Sequence, residues 1–477
     1  MAIARFKFLD KDEEDIIHQQ SIRCLEDIGV AVRSRQVREM LADAGAHVEK
    51  NSEVVKIPEP LINESVKKAP KSFTLFARNP KYNIRLPAED IPYVGTTGLA
   101  IHMTDIDTGE QRSATRKDCA DFARLGDALE EVDFMWSMII PRDVPQEAHT
   151  AHELWISMTN CSKHFQQIEC RNAEDARMQI KLGALLAGGE DELRKRPIFS
   201  VLISPDSPLV FRKDAIEAQM ELAKAGIPII SMTMPLAGLT SPVTIAGTLV
   251  IVNAENLASL VMTQLASPGN PHIYASDAVP GDMSTGDVAY EAPEVPAMFA
   301  GMAQMARRYG LPCICGDWGL CAGSAPGIHK SFSEVSSTTL DTFSGTDMLS
   351  GIGSTDVAKG ASLEQMVIDA YIWKNWKGFL RSFRIDEDAA ALDVIKAVGH
   401  GNTFLTHPHT VRNYRKELYF RDKKISAWEM TLSDRMVPEA REIAKKILKE
   451  YAPEPVDRSI LKEGERLIAE YEKRFSG

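Results

Sequence analysis

From Tyr93 onward the chain keeps one rhythm: a short apolar run, a polar loop, then a helical pattern. The runs begin at Tyr93, Phe134, His164, Ile198, Pro228, His272, Pro312 and Met348. Each lasts about five to seven residues, an ordinary strand length. The interleaved helical patterns cover Arg116 to Leu129, Ala148 to Asn160, Ala173 to Leu186, Lys213 to Ala225, Val243 to Ala266, Pro293 to Tyr309, Ser331 to Phe343 and Leu363 to Phe383. About eight βα units in roughly 250 to 290 residues is what an α/β protein of the (β/α)8 TIM-barrel type requires. A doubly wound open sheet is the competing architecture, yet neither a G-x-G-x-x-G nor a G-x-x-x-x-G-K-[ST] motif follows any run.

The expected division is therefore an N-terminal α+β accessory layer over 1–90, the barrel over 91–384, and a C-terminal loop with helices over 385–477 that pack on the barrel. In the first layer Asp10 to Val30 and Gln36 to Ala44 carry helical periodicity, and Val54 to Ile57, Phe73 to Ala77 and Ile84 to Leu86 read as short strands. A hairpin is expected between Ala100 and Arg112, around Asp107-Thr108-Gly109. The charged helical pattern after Asp434 is expected to face solvent.

The protein has 477 residues, 44% of them hydrophobic and 26% charged, with a formal net charge of −12. That balance argues against nucleic acid or an anionic membrane as partner. The longest apolar stretch, Ala246 to Ala266, is interrupted by Asn253, Glu255 and Asn256, which are costly in a bilayer. The opening MAIARFKFLDKDEED reaches acids before any apolar core region forms, so no secretory leader and a cytoplasmic location are expected. An acidic barrel with an added layer leaves surface for a homo-oligomer.

Seven cysteines scattered over such a length do not make a disulfide framework. Cys313, Cys315 and Cys321 could ligate zinc as a C-x-C pair with a third thiol, but no C-x-x-C and no regularly spaced His accompanies them. A tightly bound metal is not expected.

In a barrel the functional site lies at the C-terminal ends of the strands. Those ends offer Thr96, Thr97, Arg142, Gln167, Glu169, Ser204, Thr233, Tyr274, Ser276, Asp277, Asp317, Trp318 and Ser350. Three acids and two aromatics around one mouth favour a cationic ligand, and a desolvated cation over Trp or Tyr gains about 2 kcal/mol. Alternation along Leu311 to Ser324 sends Cys313, Cys315 and Asp317 to one face and Ile314, Gly316 and Trp318 to the other. Glycines from Gly316 to Gly323 and from Gly345 to Gly353 mark close backbone approach. His329 stands at a helix start, where it can donate to a ligand anion. His407 and His409, separated by Pro408, sit on a loop expected to close over the mouth, with Arg412 in its basic continuation.

Three stretches carry a family resemblance: FLTHPHTVRNYRKELYF with Asp422-Lys423-Lys424 and Trp428 downstream, CGDWGLCAGS, and YVGTTGLAIHMTD. In this order they resemble the trimethylamine methyltransferase family over essentially the whole chain, particularly its non-pyrrolysine members, which act on glycine betaine. The resemblance implies a (β/α)8 barrel that passes a methyl group from an amine to the cobalt of a corrinoid (cobalamin) carried by a partner protein. The trimethylamine enzyme carries pyrrolysine in its pocket, whereas this sequence has only standard residues. A quaternary amine is therefore the expected substrate, because it releases a neutral tertiary amine and needs no general acid. Glycine betaine leads; proline betaine, carnitine and γ-butyrobetaine differ by few groups.

On this reading Trp318 and Tyr274 meet the ammonium, Glu169 and Asp317 supply placement and electrostatics, and His329, His407, His409 or Arg412 hold the substrate carboxylate. No catalytic residue is named, since the enzyme contributes orientation and desolvation. Two other readings stay open: a zinc-thiolate methyltransferase using the three cysteines, and a barrel that binds betaines without catalysis.

Overall fold

Eight strands hydrogen-bond in chain order in a computed structural model that describes residues 5–49, 51–420, 422–431 and 433–475. They are β1 (Tyr93–Thr96), β2 (Met135–Trp136), β3 (Phe165–Gln167), β4 (Phe199–Ile203), β5 (Ile229–Thr233), β6 (His272–Ser276), β7 (Cys313–Asp317) and β8 (Met348–Ile352). Every neighbouring pair is parallel, β8 returns to β1, and a parallel bridge from Gly95 to Phe134 closes the ring. Between them run α1 (Arg116–Ala128), α2 (His149–Asn160), α3 (Ala173–Ala187), α4 (Lys213–Lys224), α5 (Ile245–Ala266), α6 (Val295–Arg308), α7 (Phe332–Thr342) and α8 (Leu363–Leu380). This is a TIM barrel, with strands and helices where the apolar rhythm put them.

Local chemistry explains why the helices begin where they do. Thr115, Asn172, Thr244, Ser331 and Ser362 accept backbone N–H groups at the starts of α1, α3, α5, α7 and α8, satisfying donors that have no partner inside the helix. Ser331 and Thr115 form reciprocal capping boxes with Glu334 and Asp118.

The barrel interior is apolar and closed from below. Phe134, Trp136, Ile230, Ile273, Ala275, Ile314 and Met348 share one cluster with Leu75, Ile84 and Leu86. Those last three belong to an antiparallel hairpin, Phe73–Leu75 with Ile84–Leu86, which plugs the N-terminal end of the barrel. His164 ties plug to barrel: its Nδ1 donates to the Phe76 carbonyl at 2.7 Å and its Nε2 accepts from Ser200 at 2.9 Å. Burial pushes this imidazole down to about 4, so it is neutral at physiological pH.

The rest of the N-terminal layer covers α5 and α6. Its helices Lys11–Arg23, Arg35–Asp43 and Glu59–Lys68 surround a small sheet that recruits Val210–Phe211 from the β4–α4 loop. Leu25, Val30 and Ile62 pack with Leu257, Val261 and Met302 in one buried cluster. Under this cover lies α5, the one helix among the described residues long and apolar enough to cross a membrane. Its burial and its polar pins make it a core helix: Asn253 donates to Tyr309, Glu255 accepts from Ser207 and the Leu209 N–H, and Asn256 donates to the Ala275 carbonyl.

The C-terminal helices do not simply face solvent as their charge suggested. Lys423–Thr431 and Ser433–Glu450 press Ile425, Trp428, Met436, Ala440 and Ala444 into the outer core, while Arg458–Glu472 buries Ile468 and Tyr471. Their charges occupy the outer faces only, the usual amphipathic division.

Lys163 shows how tightly the lower end is built. Its buried ammonium donates to the carbonyls of Gly126, Leu129 and Val132 at 2.6 to 2.8 Å, capping the C-terminal end of α1. Lys163→Met would strand those acceptors away from water. We expect about 3 kcal/mol of destabilisation and a Tm fall of roughly 3 °C by calorimetry; an unchanged Tm would show that the carbonyls find other donors.

Candidate functional site

The site is set by a departure from regular alternation in β7. Cys313 and Cys315 face outward into the layer under α5 and α6, and Ile314 faces the lumen. Ile314 pairs with Met348, but it is Asp317, three residues later, that pairs with Ser350, only two residues after Met348. One extra residue has entered β7 at Gly316, whose φ of +101° a side chain would resist. The bulge flips the parity, and Asp317 joins Ile314 on the lumen side instead of following the thiols outward. Gly351, with φ +128°, makes room across the pair; a Cβ there would collide with the Asp317 carboxylate and the Trp318 carbonyl.

Beside it, β6 continues inward through Ile273 and Ala275 to Asp277. Asp277 accepts a 2.5 Å hydrogen bond from Tyr290, on the loop that follows β6. Behind β7, on its helix side, lies Asp341 of α7: its Cβ is 3.5 Å from where a Gly316 side chain would begin, and its buried Oδ1 has no hydrogen-bond partner. Lys330, held to Thr338 at 3.0 Å, stands near enough to act on both Asp317 and Asp341.

Three carboxyl groups thus share one corner with one nearby ammonium. Burial pushes Asp277 up to about 7, against the pull of the Tyr290 hydrogen bond and with help from the charge of Asp317. Burial likewise raises Asp317 and drives Asp341 well above the usual carboxylate range, Lys330 offsetting part of each. Like charges in an enclosed corner cannot all ionise without a counter-ion. A permanent cation placed there would let them.

The loops around this corner are fixed from α8. The Gly327 N–H donates to Gln365 at 2.7 Å, Gln365 donates to Asp369 at 2.8 Å, and Asp369 also accepts the Gly353 N–H at 2.8 Å. The β8–α8 loop turns left-handed at three successive non-glycine residues, Asp356, Val357 and Ala358, a strained path held by the Asp356 N–H bond to the Gly323 carbonyl.

Of the residues singled out in the sequence, Asp317 stands in this corner. Trp318 does not: it is 1% exposed and packs edge-on against Trp373 of α8 at 4.9 Å between ring centres. Tyr274 faces outward from β6, buried against α5 with its hydroxyl 3.5 Å from Asn253. Glu169 ends β3 on the opposite wall, 3.6 Å from His149, which also bonds the buried Glu153 at 2.6 Å. Burial opposes protonation of that imidazole, but the bond and charge of Glu153 with the charge of Glu169 raise its pKa. His329 is exposed on the loop before α7, its N–H bonded to the Leu320 carbonyl.

His407, His409 and Arg412 lie on an arm whose base is at the other end of the barrel. Arg381 bonds the Glu417 carbonyl, Tyr419 bonds Lys374 and Asn375, and Lys374 pairs with Glu131 in the α1–β2 loop at the strands' N-terminal side. The loop anticipated as a cover for the mouth is anchored opposite it. The three thiols proposed for zinc are also apart in role: Cys321 bonds the Gly323 and Ala325 carbonyls within its own loop. Among the described residues no three His, Cys, Asp or Glu side chains group to hold a metal ion.

Tyr290, Lys330 and Asp341 were not singled out from the sequence. Tyr290 follows the glycine-rich loop after β6, and Lys330 directly follows His329, so proximity to strand ends was a usable signal for both. Asp341 sits in the last turn of α7, where nothing but packing reveals it.

A (β/α)8 barrel with titratable side chains gathered at the C-terminal ends of its strands is the architecture of an enzyme. The family model for trimethylamine methyltransferase (MTTB) matches residues 1–475. The chain is 31% identical over 475 residues to the trimethylamine methyltransferase of Methanosarcina barkeri (strain Fusaro), covering 98% of this chain and 95% of that protein. It is 29% identical over 465 residues to the glycine betaine methyltransferase of Desulfitobacterium hafniense (strain Y51), with 96% and 95% covered. The monomethylamine methyltransferase of Methanosarcina barkeri shares the fold with a TM-score of 0.54 at 14% identity, over 94% of this chain and 88% of that one. The chain belongs to the trimethylamine methyltransferase family and is a methyltransferase.

The raised pKa of Asp277 gives the corner a pH signature. A cation favours the ionised carboxylate, so protons compete with it below pH 7. Tetramethylammonium, which does not titrate, should bind about 10-fold more weakly at pH 6 than at pH 8, releasing protons near pH 6.5 in calorimetry. Asp277→Asn should flatten the profile; a flat wild-type profile would place the cation elsewhere.

Proposed function

We propose that this methyltransferase takes a methyl group from a quaternary amine, glycine betaine first, and passes it to a corrinoid carried by a separate protein, leaving dimethylglycine. The observation that carries this reading is the approach of Asp277 and Asp317 at the strands' C-terminal ends, with the charge of Asp341 acting from behind β7. A trimethylammonium group is a permanent cation without N–H donors, and what it asks of a site is diffuse negative potential, not hydrogen-bond acceptors. The glycine betaine methyltransferase relative supports the choice of substrate.

The partner's cobalt, in its Co(I) state, supplies the nucleophile. This chain's residues need only hold the ammonium so that one methyl points out of the mouth, and exclude water around it. Positive charge on nitrogen vanishes as the methyl departs, so full ground-state attraction would be wasted. Carboxyls whose ionised form burial disfavours, Asp277 above all, suit that demand. Lys330, beside Asp317 and directly after His329, offers a cation for the substrate's carboxylate.

The rim suits a protein-borne acceptor. Leu99, Leu239, Val243, Met283, Phe332 and Val357 all lie on loops or helix starts at the strands' C-terminal side and are 43 to 90% exposed. A ring of large apolar side chains around a polar mouth marks a docking surface.

The first test is a panel of methylated amines with Co(I) cobalamin and with the corrinoid protein, read by the visible spectrum of methylcobalamin. Methylation from glycine betaine and not from trimethylamine is expected, and Asp317→Asn should lower kcat at least 100-fold; methylation from trimethylamine alone would overturn the reading. Met283→Glu with Phe332→Glu should slow transfer to the corrinoid protein at least 10-fold while leaving free cobalamin nearly unaffected. Equal loss with both acceptors would remove the rim from docking.

A further inference from the structure

The segment from Arg384 to Phe420 is unlike the rest of the protein. None of its residues is buried, although it contains the helices Glu387–Ala390, Leu392–Val398 and Pro408–Glu417. Ile385, Leu392, Ile395, Leu405, Val411 and Leu418 are 52 to 77% exposed. Together with the rings of Phe404 and Tyr414 they offer on the order of the 800 Å² per partner that a stable specific interface buries. Isolated exposed apolar residues need no explanation, but a continuous run on an arm without a core of its own does.

The two halves of the arm are complementary in charge. Leu392 and Ile395 form a short apolar stripe flanked by Asp386, Glu387, Asp388 and Asp393, of which Asp386 and Asp388 pair with Arg384. Val411, Tyr414 and Leu418 recur at helical spacing, flanked by Arg412, Arg415 and Lys416. Among the described residues those three cations make no ion pair. Among the described residues no hydrogen bond or ion pair links the two halves within the chain, and neither helix has a buried residue.

We propose that this arm is an isologous interface with a second copy of the same chain, the acid-flanked stripe of one copy lying on the base-flanked stripe of the other. Two-fold symmetry then makes each contact twice, and self-complementary charge fixes the register. The base of the arm lies at the plugged end of the barrel, opposite the mouth, so a protein that receives the methyl group is not the natural occupant.

The test is equilibrium sedimentation of the full chain, with thermal melts as control; every residue substituted is exposed, so the fold of the single chain is left intact. Wild type should be a dimer or larger at micromolar concentration. Leu405→Asp with Val411→Asp should raise the dissociation constant at least 100-fold, and Arg412→Glu with Arg415→Glu at least 10-fold, with Tm of the separated chain unchanged. Adding Glu387→Lys and Asp393→Lys to the charge-reversed chain should restore association. A monomeric wild type, or variants that keep the wild-type mass, would overturn the proposal. Failure of the charge swap to restore association would overturn the pairing of the two halves. Unchanged mass with lost transfer to the corrinoid protein would assign the arm to that partner instead.

Discussion

One extra residue in β7 decides what this barrel can hold. With regular alternation, Asp317 would share the outward face of Cys313 and Cys315 and end among the helices. The bulge at Gly316 turns it inward, opposite Ser350 and beside Asp277. Both glycines of the arrangement are required by geometry: Gly316 adopts a positive φ, and Gly351 leaves the volume that the Asp317 carboxylate fills. The consequence is electrostatic. A barrel interior that is otherwise apolar ends in carboxyl groups whose ionised forms burial disfavours, Asp277 being pushed up to about 7.

That corner is affordable only because the rest of the barrel is over-determined. The lower end is sealed by a hairpin whose leucines enter the lumen, by the His164 bridge and by Lys163 over three carbonyls. The outer face of α5 is covered by the N-terminal layer, which buries a helix that would otherwise expose a membrane-like surface. Packing at one end supports strain at the other, where Asp356 to Ala358 run left-handed and the loops hang from Gln365 and Asp369.

The architecture was legible because strand and helix periods differ and because parallel strands demand crossovers. All eight runs and all eight helical patterns correspond to elements, and the hairpin around Gly109 forms as its turn residues require. The site was harder to read, for reasons that are physical. A buried parallel strand is apolar on both faces, so composition does not say which side of β6 Tyr274 takes, and it faces α5. Trp318 follows a bulge, and parity counted from Cys313 fails beyond Gly316. The arm bearing His407, His409 and Arg412 has the basic and aromatic character of a ligand-binding loop, but its anchor at Asn375 and Lys374 is a long-range contact that no local pattern encodes.

If the proposed quaternary ammonium sits at the carboxylate corner and not in an aromatic cage, the group that binds it can titrate. An aromatic cage binds a trimethylammonium through a fixed quadrupole, and that attraction weakens only as the charge on nitrogen does. Asp277, near its own titration point, would respond: as the C–N bonding electrons return to nitrogen and its positive charge is lost, a proton from solvent would neutralise the carboxylate, and the neutral amine would no longer have a counter-ion to hold it. On that reading the group that admits the cation also favours release of the amine. Burial of Asp277 would in this sense be the device, because a carboxylate in open water would stay ionised throughout and could not track the charge.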